Sequence, residues 1–380
     1  MKVLHLSEWG LPDWRIEKSA ITSKRAGYEV FFAGEKNAHE YRNIIFDKIY
    51  EFDWNIKAKY KLPFYYQTLK KKINNIINEI RPEIIHAHNI FPAKLASEFD
   101  IPFVFDDHEF SSNHGKVVYE LFKIRESQDK SKLNKIRWFA RKSIKKYMSK
   151  LWSEWEREIV SSHPTITVSD KIAEALGNYN HNNKIVVVPN VPLKKEIQDL
   201  DNPVYHNELS SVYMGTDGLA LYHYPNRNIG GLTEIFNNSE IGRLEIIGWN
   251  NKKKEHSNVK FHGFLSRDKA FKILKESSIG LIPWKKHWSH TYVNPNKTYD
   301  YVHAGLLVIC ISDLRTIYSS LGGNCILVED YNELAQTLKY LSENIEELNK
   351  LRIKSFNFAK DNLIWEKYDH NIIKVYNSLA

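Results

Sequence analysis

The chain has 380 residues, 42% hydrophobic and 26% charged, ordinary values for a folded protein but more chain than one core usually serves, so two domains are expected. A formal net charge of +8 points to anionic partners, whether nucleotides, phospholipid headgroups or nucleic acid. No run approaches ~18 consecutive apolar residues, which argues against a spanning helix, and Cys310 and Cys325 lack metal-like spacing and read as free thiols in a reducing cytosol.

Met1-Lys2-Val3-Leu4-His5-Leu6 is too short, and too soon interrupted by Glu8, for a signal peptide. It reads as a first buried strand, and a cytoplasmic protein is expected. Further strands are predicted over 29–33, 84–87, 103–106, 165–168 and 184–188, with helical spacing over 15–26 and 70–80 and a stop at Pro82. The stretch from Pro189 to about Asn207, with Pro192, Pro203 and clustered charge, has linker composition. Strands resume over 211–214, 244–247, 259–261, 279–282, 307–311 and 325–327, with helices over 267–276, 298–303, 333–341 and 345–361. Ile372, Ile373, Tyr376 and Leu379 recur at helical spacing and would close one of the halves. Alternation of this kind is the pattern of parallel α/β domains. Two doubly wound halves would leave a cleft beyond the carboxyl ends of their strands, where ligands of such sheets bind. The 13% aromatic share, with 10 Trp and 21 Tyr, suits a lined ligand cleft or a surface meeting an apolar phase.

Between Lys130 and Lys150 lie nine Lys or Arg and no acidic residue. Leu133, Ile136, Ala140, Ile144, Tyr147 and Leu151 fall at helical spacing and predict a narrow apolar stripe packed on the first domain. The cations would then face an anionic membrane or a lipid-linked phosphate acceptor. An ordinary solvated helix face is the plainer alternative. Nucleic acid is not expected, since no RRM, KH or helix-turn-helix pattern accompanies the charge.

Several motifs, in order over nearly the whole chain, resemble the GT-B glycosyltransferases of family 4 type. In the first half these are Gly10-Leu11-Pro12-Asp13-Trp14-Arg15, Ala26-Gly27-Tyr28-Glu29-Val30, Ile84-Ile85-His86-Ala87-His88, Phe105-Asp106-Asp107-His108-Glu109, Thr167-Val168-Ser169-Asp170 and Val187-Val188-Pro189-Asn190. In the second half they are Ile246-Ile247-Gly248, Val259-Lys260-Phe261-His262-Gly263 and, most specific, Pro295-Asn296-Lys297-Thr298-Tyr299-Asp300-Tyr301 with Ala304-Gly305. The resemblance implies an α/β GT-B fold: a Rossmann-like acceptor domain over 1–190, a Rossmann-like donor domain over 205–361, and a closing helix over 362–380 that could cross back to the first. It implies transfer of a sugar from a nucleotide-sugar, UDP- or GDP-linked, to a glycan, lipid-linked or protein-linked acceptor. Retention of configuration is preferred, with no permanent cofactor and no metal.

Breaking a nucleotide-sugar bond requires positive charge and N–H donors where the departing diphosphate gains charge. By resemblance Arg227 and Lys297 bind that diphosphate, beside Gly215 and Thr216, with Gly263, Asn294 and Asn296 lining the site. Asp300 stands where a Glu usually holds the ribose hydroxyls; a helix-capping role is its alternative. For the two cations the alternative is solvated surface charge. Two departures are visible: Thr216 replaces the expected Arg, and Tyr292 replaces the first Glu of the family's E-x7-E pattern. His290 or Asn294 could contact sugar hydroxyls in its place.

In the first half His108 is the candidate catalytic residue, a base if the enzyme inverts, with Asp106 and Glu109 orienting it or activating the acceptor. A structural histidine is the alternative. Gly10 and Arg15 frame the opening loop, where backbone could meet the ligand; a cation at a helix start runs against the helix dipole and suggests an anionic ligand nearby, a simple strand–helix connection being the alternative. His86 and His88 share a strand face, but no neighbouring carboxylate or Cys in sequence completes a ligand set. A nucleotide-sugar epimerase of the same fold, and a non-catalytic basic binding protein, are the competing readings.

Overall fold

The computed structural model describes residues 1–36, 41–54, 63–128, 135–179, 184–197, 202–215, 225–251, 255–311 and 313–379. In chain order the first elements are β1 (Lys2–Ser7), α1 (Trp14–Arg25), β2 (Glu29–Glu35), β3 (Lys48–Phe52), α2 (Pro63–Ile80), β4 (Ile84–His88), α3 (Ile90–Ala96) and β5 (Phe103–Asp107). Two long helices follow, α4 (Ser111–Gln128) and α5 (Lys135–Ser162), then β6 (Thr165–Thr167), α6 (Asp170–Gly177) and β7 (Ile185–Val187). The chain continues through α7 (Lys194–Ile197), β8 (Ser210–Met214), α8 (Leu232–Ile235), β9 (Arg243–Ile247), β10 (Val259–Gly263), α9 (Arg267–Lys275) and β11 (Ile279–Ile282). It ends with α10 (Lys297–His303), β12 (Leu307–Ile311), α11 (Arg315–Ser320), β13 (Cys325–Val328), α12 (Tyr331–Glu343), α13 (Ile345–Asn362) and α14 (Asp369–Asn377).

The strands form two separate parallel sheets. One has seven strands in the order β3-β2-β1-β4-β5-β6-β7, the other six in the order β10-β9-β8-β11-β12-β13. Each order reverses direction beside its first strand, the mark of a doubly wound sheet. The chain groups into two compact units, one comprising Met1–Gly115, Tyr147–Asn190 and Trp365–Ala380, the other Lys116–Lys146 and Val191–Ile364. In this grouping the second half of α4 and the start of α5 fall in the second unit, and the C-terminal α14 falls in the first.

Local chemistry accounts for the elements around the site. Val3, Leu4 and Leu6 of β1 are buried, as a central parallel strand covered on both faces requires. At the start of α1, Asp13 accepts from the backbone N–H groups of Arg15 (3.0 Å) and Ile16 (3.1 Å), a cap that uses two of the four donors an α-helix leaves unsatisfied there. Leu11, Ile16, Ala20, Val30, Phe32 and Phe46 form the core beneath it.

Two expectations are corrected. Lys48–Phe52 pairs in parallel with β2 as the outermost strand of its sheet; its half-exposed, alternating Lys-Ile-Tyr-Glu-Phe pattern hides it from a search for apolar runs. Among the described residues of the basic segment's apolar stripe, Ile144 and Tyr147 are not packed down as expected. Leu133 lies outside the described residues, while Ile144 and Tyr147 are 54% and 62% exposed, with Phe139 at 72%. The covered side of α5 begins only at Met148 and continues through Glu156, Ile159 and Val160, so the helix before it carries apolar and cationic side chains into solvent together.

Candidate functional site

In the first unit the register of three central strands assembles a polar centre. His5 lies opposite His86, and His88 opposite Asp106. The imidazoles of His86 and His88 stack with centroids 4.4 Å apart, and His5 stacks on both. All three histidines and Asp106 are fully buried. Arg15 reaches Asp106 with Nε and Nη2, the closest contact being 2.7 Å, and donates from Nη1 to the Val188 carbonyl (2.7 Å) and Asn190 Oδ1 (2.8 Å). Burial alone would raise the Asp106 carboxyl, but Arg15 and then His108 hold it well below the usual carboxylate range. The anion that the cation at the head of α1 answers is therefore Asp106, 91 residues away. With these donors engaged, Arg15 serves to position Asp106.

His108 follows β5 and keeps partial access to solvent, its side chain 13% exposed. Its Nε2 lies 3.1 Å from His88 Nδ1 and 3.4 Å from Asp106 Oδ2. Asn89 and Phe110 both have positive φ; Asn89 Oδ1 accepts from the His108 backbone N–H at 3.4 Å, and Phe110 follows two residues after His108. Backbone in this region is strained for residues other than glycine and gathers at functional turns. Glu109 is exposed and 2.9 Å from His114 Nδ1. Beneath them Asp107 and Glu156, both buried, form a second acidic pair: Ser111 Oγ donates to Asp107 and the Ser112 backbone N–H to Glu156. Burial lifts Glu156 to about 7, and burial with the nearby Glu156 lifts Asp107 well above its ordinary value. Sequence order showed neither Glu156 nor His5 as part of this centre, and Asp106 supplies the carboxylate missing beside His88.

Two groups here, His5/His86/His88 and His88/Asp106/His108, have ligand-type atoms within 4.8 Å of one another. Several of their nitrogens are already engaged, His5 Nδ1 with His88 Nε2 (3.0 Å), His86 Nδ1 with the Tyr376 hydroxyl (2.6 Å) and His86 Nε2 with Asp106 (3.2 Å), while His5 Nε2 has no partner among the described residues. Stacked rings point lone pairs along parallel planes, and Arg15 already compensates the one carboxylate. The arrangement fits a hydrogen-bonded network better than the convergent lone pairs of a metal site.

In the second unit Lys297 opens α10. Its Nζ lies 4.5 Å from the centre of the Tyr213 ring and 5.1 Å from that of Trp284, cation–π contacts that hold an ammonium out of bulk water. Arg227 stands 5.9 Å from the same Trp284 ring. Burial first, and then the Arg227 charge, draw Lys297 down to about 7, with Asp300 opposing. Among the described residues no carboxylate is within ion-pair distance of Lys297. Gly215 follows β8 beside it, and a Cβ there would lie 2.7 Å from Lys297 Nζ and 2.9 Å from the Tyr213 hydroxyl, so a side chain at this position would displace the lysine. Gly263 closes β10 with φ +65. Asp300 carries Arg267 Nη2 at 3.7 Å. Asn294 donates to the Tyr299 hydroxyl (2.8 Å) and Ser320 Oγ (3.1 Å), while its buried Oδ1 has no partner among the described residues. Asn296 precedes α10 without capping it through its side chain. His290 is fully buried and its Nε2 donates to the Asn226 carbonyl at 2.7 Å, so it supports the loop. Thr216 lies outside the described residues.

Comparison with known proteins gives the geometry a family context. Residues 22–191 match the model of Glycosyltransferase Family 4. No curated protein matches the sequence. Among solved structures, the sucrose-phosphate synthase of Thermosynechococcus elongatus superposes with a TM-score of 0.69 at 13% identity, over 100% of this chain and 98% of that one. HepE of Anabaena, in complex with UDP-glucose, gives 0.62 at 12% over 100% of both chains. The putative UDP-N-acetylglucosamine 2-epimerase of Listeria monocytogenes gives 0.56 at 10%, over 99% of this chain and 96% of that one. At these identities the structures establish the GT-B fold. Together with the family match, the synthase and HepE support a glycosyltransferase. Among the described residues no helix is long and apolar enough to cross a membrane.

Proposed function

We propose that the chain transfers a sugar from a UDP- or GDP-sugar to a glycan, lipid-linked or protein-linked acceptor. The second unit takes the nucleotide: Lys297 and Arg227 receive the diphosphate beside Gly215, Asp300 receives the ribose, and Gly263, Asn294 and Asn296 line the site. The observation that carries this reading is Lys297 itself, a lysine drawn down to about 7 between two aromatic rings with no carboxylate at ion-pair distance among the described residues. A group held in that state gains most from an incoming anion, because a diphosphate supplies the charge the fold withholds. The UDP-glucose complex of HepE supports the donor class. The two cations supply the charge compensation a leaving diphosphate needs, so transfer without a divalent ion is part of the proposal, and retained configuration is added to it from the family resemblance alone.

The first unit contributes His108, with Glu109 and the loop at Gly10, toward the sugar and acceptor. Arg15 and Asp106 position that group. We place the protein at the cytoplasmic face of a membrane through residues 130–150. The exposure of Phe139, Ile144 and Tyr147 next to Arg141 and Lys146 supports contact with anionic lipid, since such a surface gains from both apolar insertion and charge.

Thermal unfolding in the presence of UDP- and GDP-sugars tests the donor: a bound nucleotide raises the midpoint by mass action, and no shift with either class contradicts the reading. Replacing Arg141, Lys142, Lys145 and Lys146 together with Ser should abolish co-sedimentation with anionic liposomes. Undiminished sedimentation removes the membrane from the proposal.

A further inference from the structure

The hydrogen bonds of the buried histidine cluster determine which nitrogen of His108 faces a ligand as a donor. His86 comes first. A carboxylate only accepts, so His86 Nε2, 3.2 Å from Asp106 Oδ2, carries the hydrogen. Burial keeps His86 below its ordinary value, and in its neutral form Nδ1 accepts from the Tyr376 hydroxyl at 2.6 Å. His86 is thereby removed from the remaining chain, which runs His5 Nδ1 to His88 Nε2 (3.0 Å) and His88 Nδ1 to His108 Nε2 (3.1 Å).

Burial holds His5 and His88 well below their ordinary values, so each carries one ring hydrogen at neutral pH. Two arrangements satisfy both contacts. In the inward one, His108 Nε2–H donates to His88 and His88 Nε2–H donates to His5. His5 must then carry its hydrogen on Nε2, a fully buried atom with no partner among the described residues. The Phe46 ring lies edge-on to His5 with centroids 6.1 Å apart and offers at most the weak acceptor of an aromatic face. In the outward one, His5 Nδ1–H donates to His88 and His88 Nδ1–H donates to His108. Only a lone pair is then left bare on His5, and the His88 hydrogen faces Asp106 Oδ2 at 3.5 Å much as the His108 hydrogen of the inward arrangement would at 3.4 Å, so that carboxylate does not separate the two. An orphaned buried N–H is the costlier defect.

We propose that the outward arrangement holds: His88, itself set by His5, fixes His108 as the Nδ1–H tautomer, so His108 presents a hydrogen-bond donor to an oxygen of the bound ligand and does not act as a general base. His5 and His88 are positioning residues. The ligand-facing role rests on the glycosyltransferase reading; the tautomer does not.

Nitrogen-15 correlation spectra of the histidine rings in the free wild-type protein at neutral pH test the tautomer directly. The expected spectrum has hydrogen on Nδ1 of His108, His88 and His5 and on Nε2 of His86; hydrogen on Nε2 of neutral His108 overturns the proposal. In His88→Phe, Asp106 Oδ2 becomes the nearest claimant of a His108 Nε2 hydrogen, and the ring should switch to the Nε2–H tautomer; an unchanged ring denies His88 its role. Activity supplies the last arm. Asn places its amide nitrogen where Nδ1 stood, so His108→Asn should retain turnover within about tenfold of wild type, while His108→Ala loses about ten- to a hundredfold. Equal, near-complete loss in both, with loss of the acidic limb of the pH profile, would instead identify a base. Absence of any nucleotide-sugar binding would overturn the functional reading and leave the spectra to decide the tautomer alone.

Discussion

The two units treat buried charge in opposite ways. Around Asp106 the first unit answers a carboxylate with Arg15 at 2.7 Å and three histidines, so its charge is balanced within the fold. Around Lys297 the second unit offers aromatic faces, a neighbouring Arg227 and a glycine that keeps backbone close, and the lysine responds by falling to about 7. A balanced cluster positions its neighbours. An unbalanced one is set to receive an anion.

The largest expected effect breaks the balanced side. Arg15→Met leaves Asp106 buried without its guanidinium and should cost about 3–5 kcal/mol of unfolding free energy, read from urea denaturation. Lys297→Met, by contrast, removes a cation that the fold disfavours, and the same experiment at pH 6 should show no loss. A stability loss of similar size from both substitutions would erase the contrast between the units.

Next comes ligand affinity. Lys297→Met should weaken UDP or GDP binding about ten- to a hundredfold, the cost of a lost charge-assisted hydrogen bond of about 1.5–3 kcal/mol, as read by calorimetry. Arg227→Met should act in the same direction. Asp300→Ala should weaken nucleosides with a ribose 2′-hydroxyl more than their deoxy counterparts, and equal weakening of both would remove Asp300 from the ribose.

A smaller effect appears in the pH dependence of stability, with opposite sign for the two units. Glu156 is raised from 4.5 to about 7, so the native state holds a proton the unfolded chain has released. Its contribution is full below pH 4.5 and is lost as pH rises to about 7. Lys297 is lowered from 10.5 to about 7, so between about 7 and 10.5 the unfolded chain holds the extra proton and stability rises with pH. Asp107, raised beside it, acts in the same direction, so Glu156→Gln should reduce the first slope and leave the second, while Lys297→Met should flatten the second and leave the first. Urea midpoints measured from pH 5 to 10 check both.

Most of the parallel scaffold was legible in the sequence. Continuous apolar runs such as Ile279–Ile282 and Leu307–Ile311 are buried on both faces and bounded by turn residues, and they fall where the hydrophobic pattern places them. Edge strand Lys48–Phe52 escaped because an edge has one wet side and its pattern alternates. The helix around residues 135–150 was legible as a helix but not in what it covers, since burial depends on how far its neighbours extend. At the candidate site, Lys297 and Asp300 stood out through a local motif, whereas the His5–His88–His108 chain depends on strand register: those residues lie about 20 and 80 apart in sequence. Arg15 shows the same limit. A cation at a helix start signals a nearby anion, but nothing local says whether that anion is a ligand or Asp106.

Calorimetric titration of UDP and GDP at pH 8, in two buffers of different ionisation enthalpy, tests the central claim most directly. With Lys297 at about 7 in the free protein, an arriving diphosphate should restore its charge, so saturable binding accompanied by uptake of up to about one proton is expected, and Lys297→Met should abolish that uptake. Absence of saturable binding by either nucleotide, or proton uptake unchanged in Lys297→Met, would contradict the account.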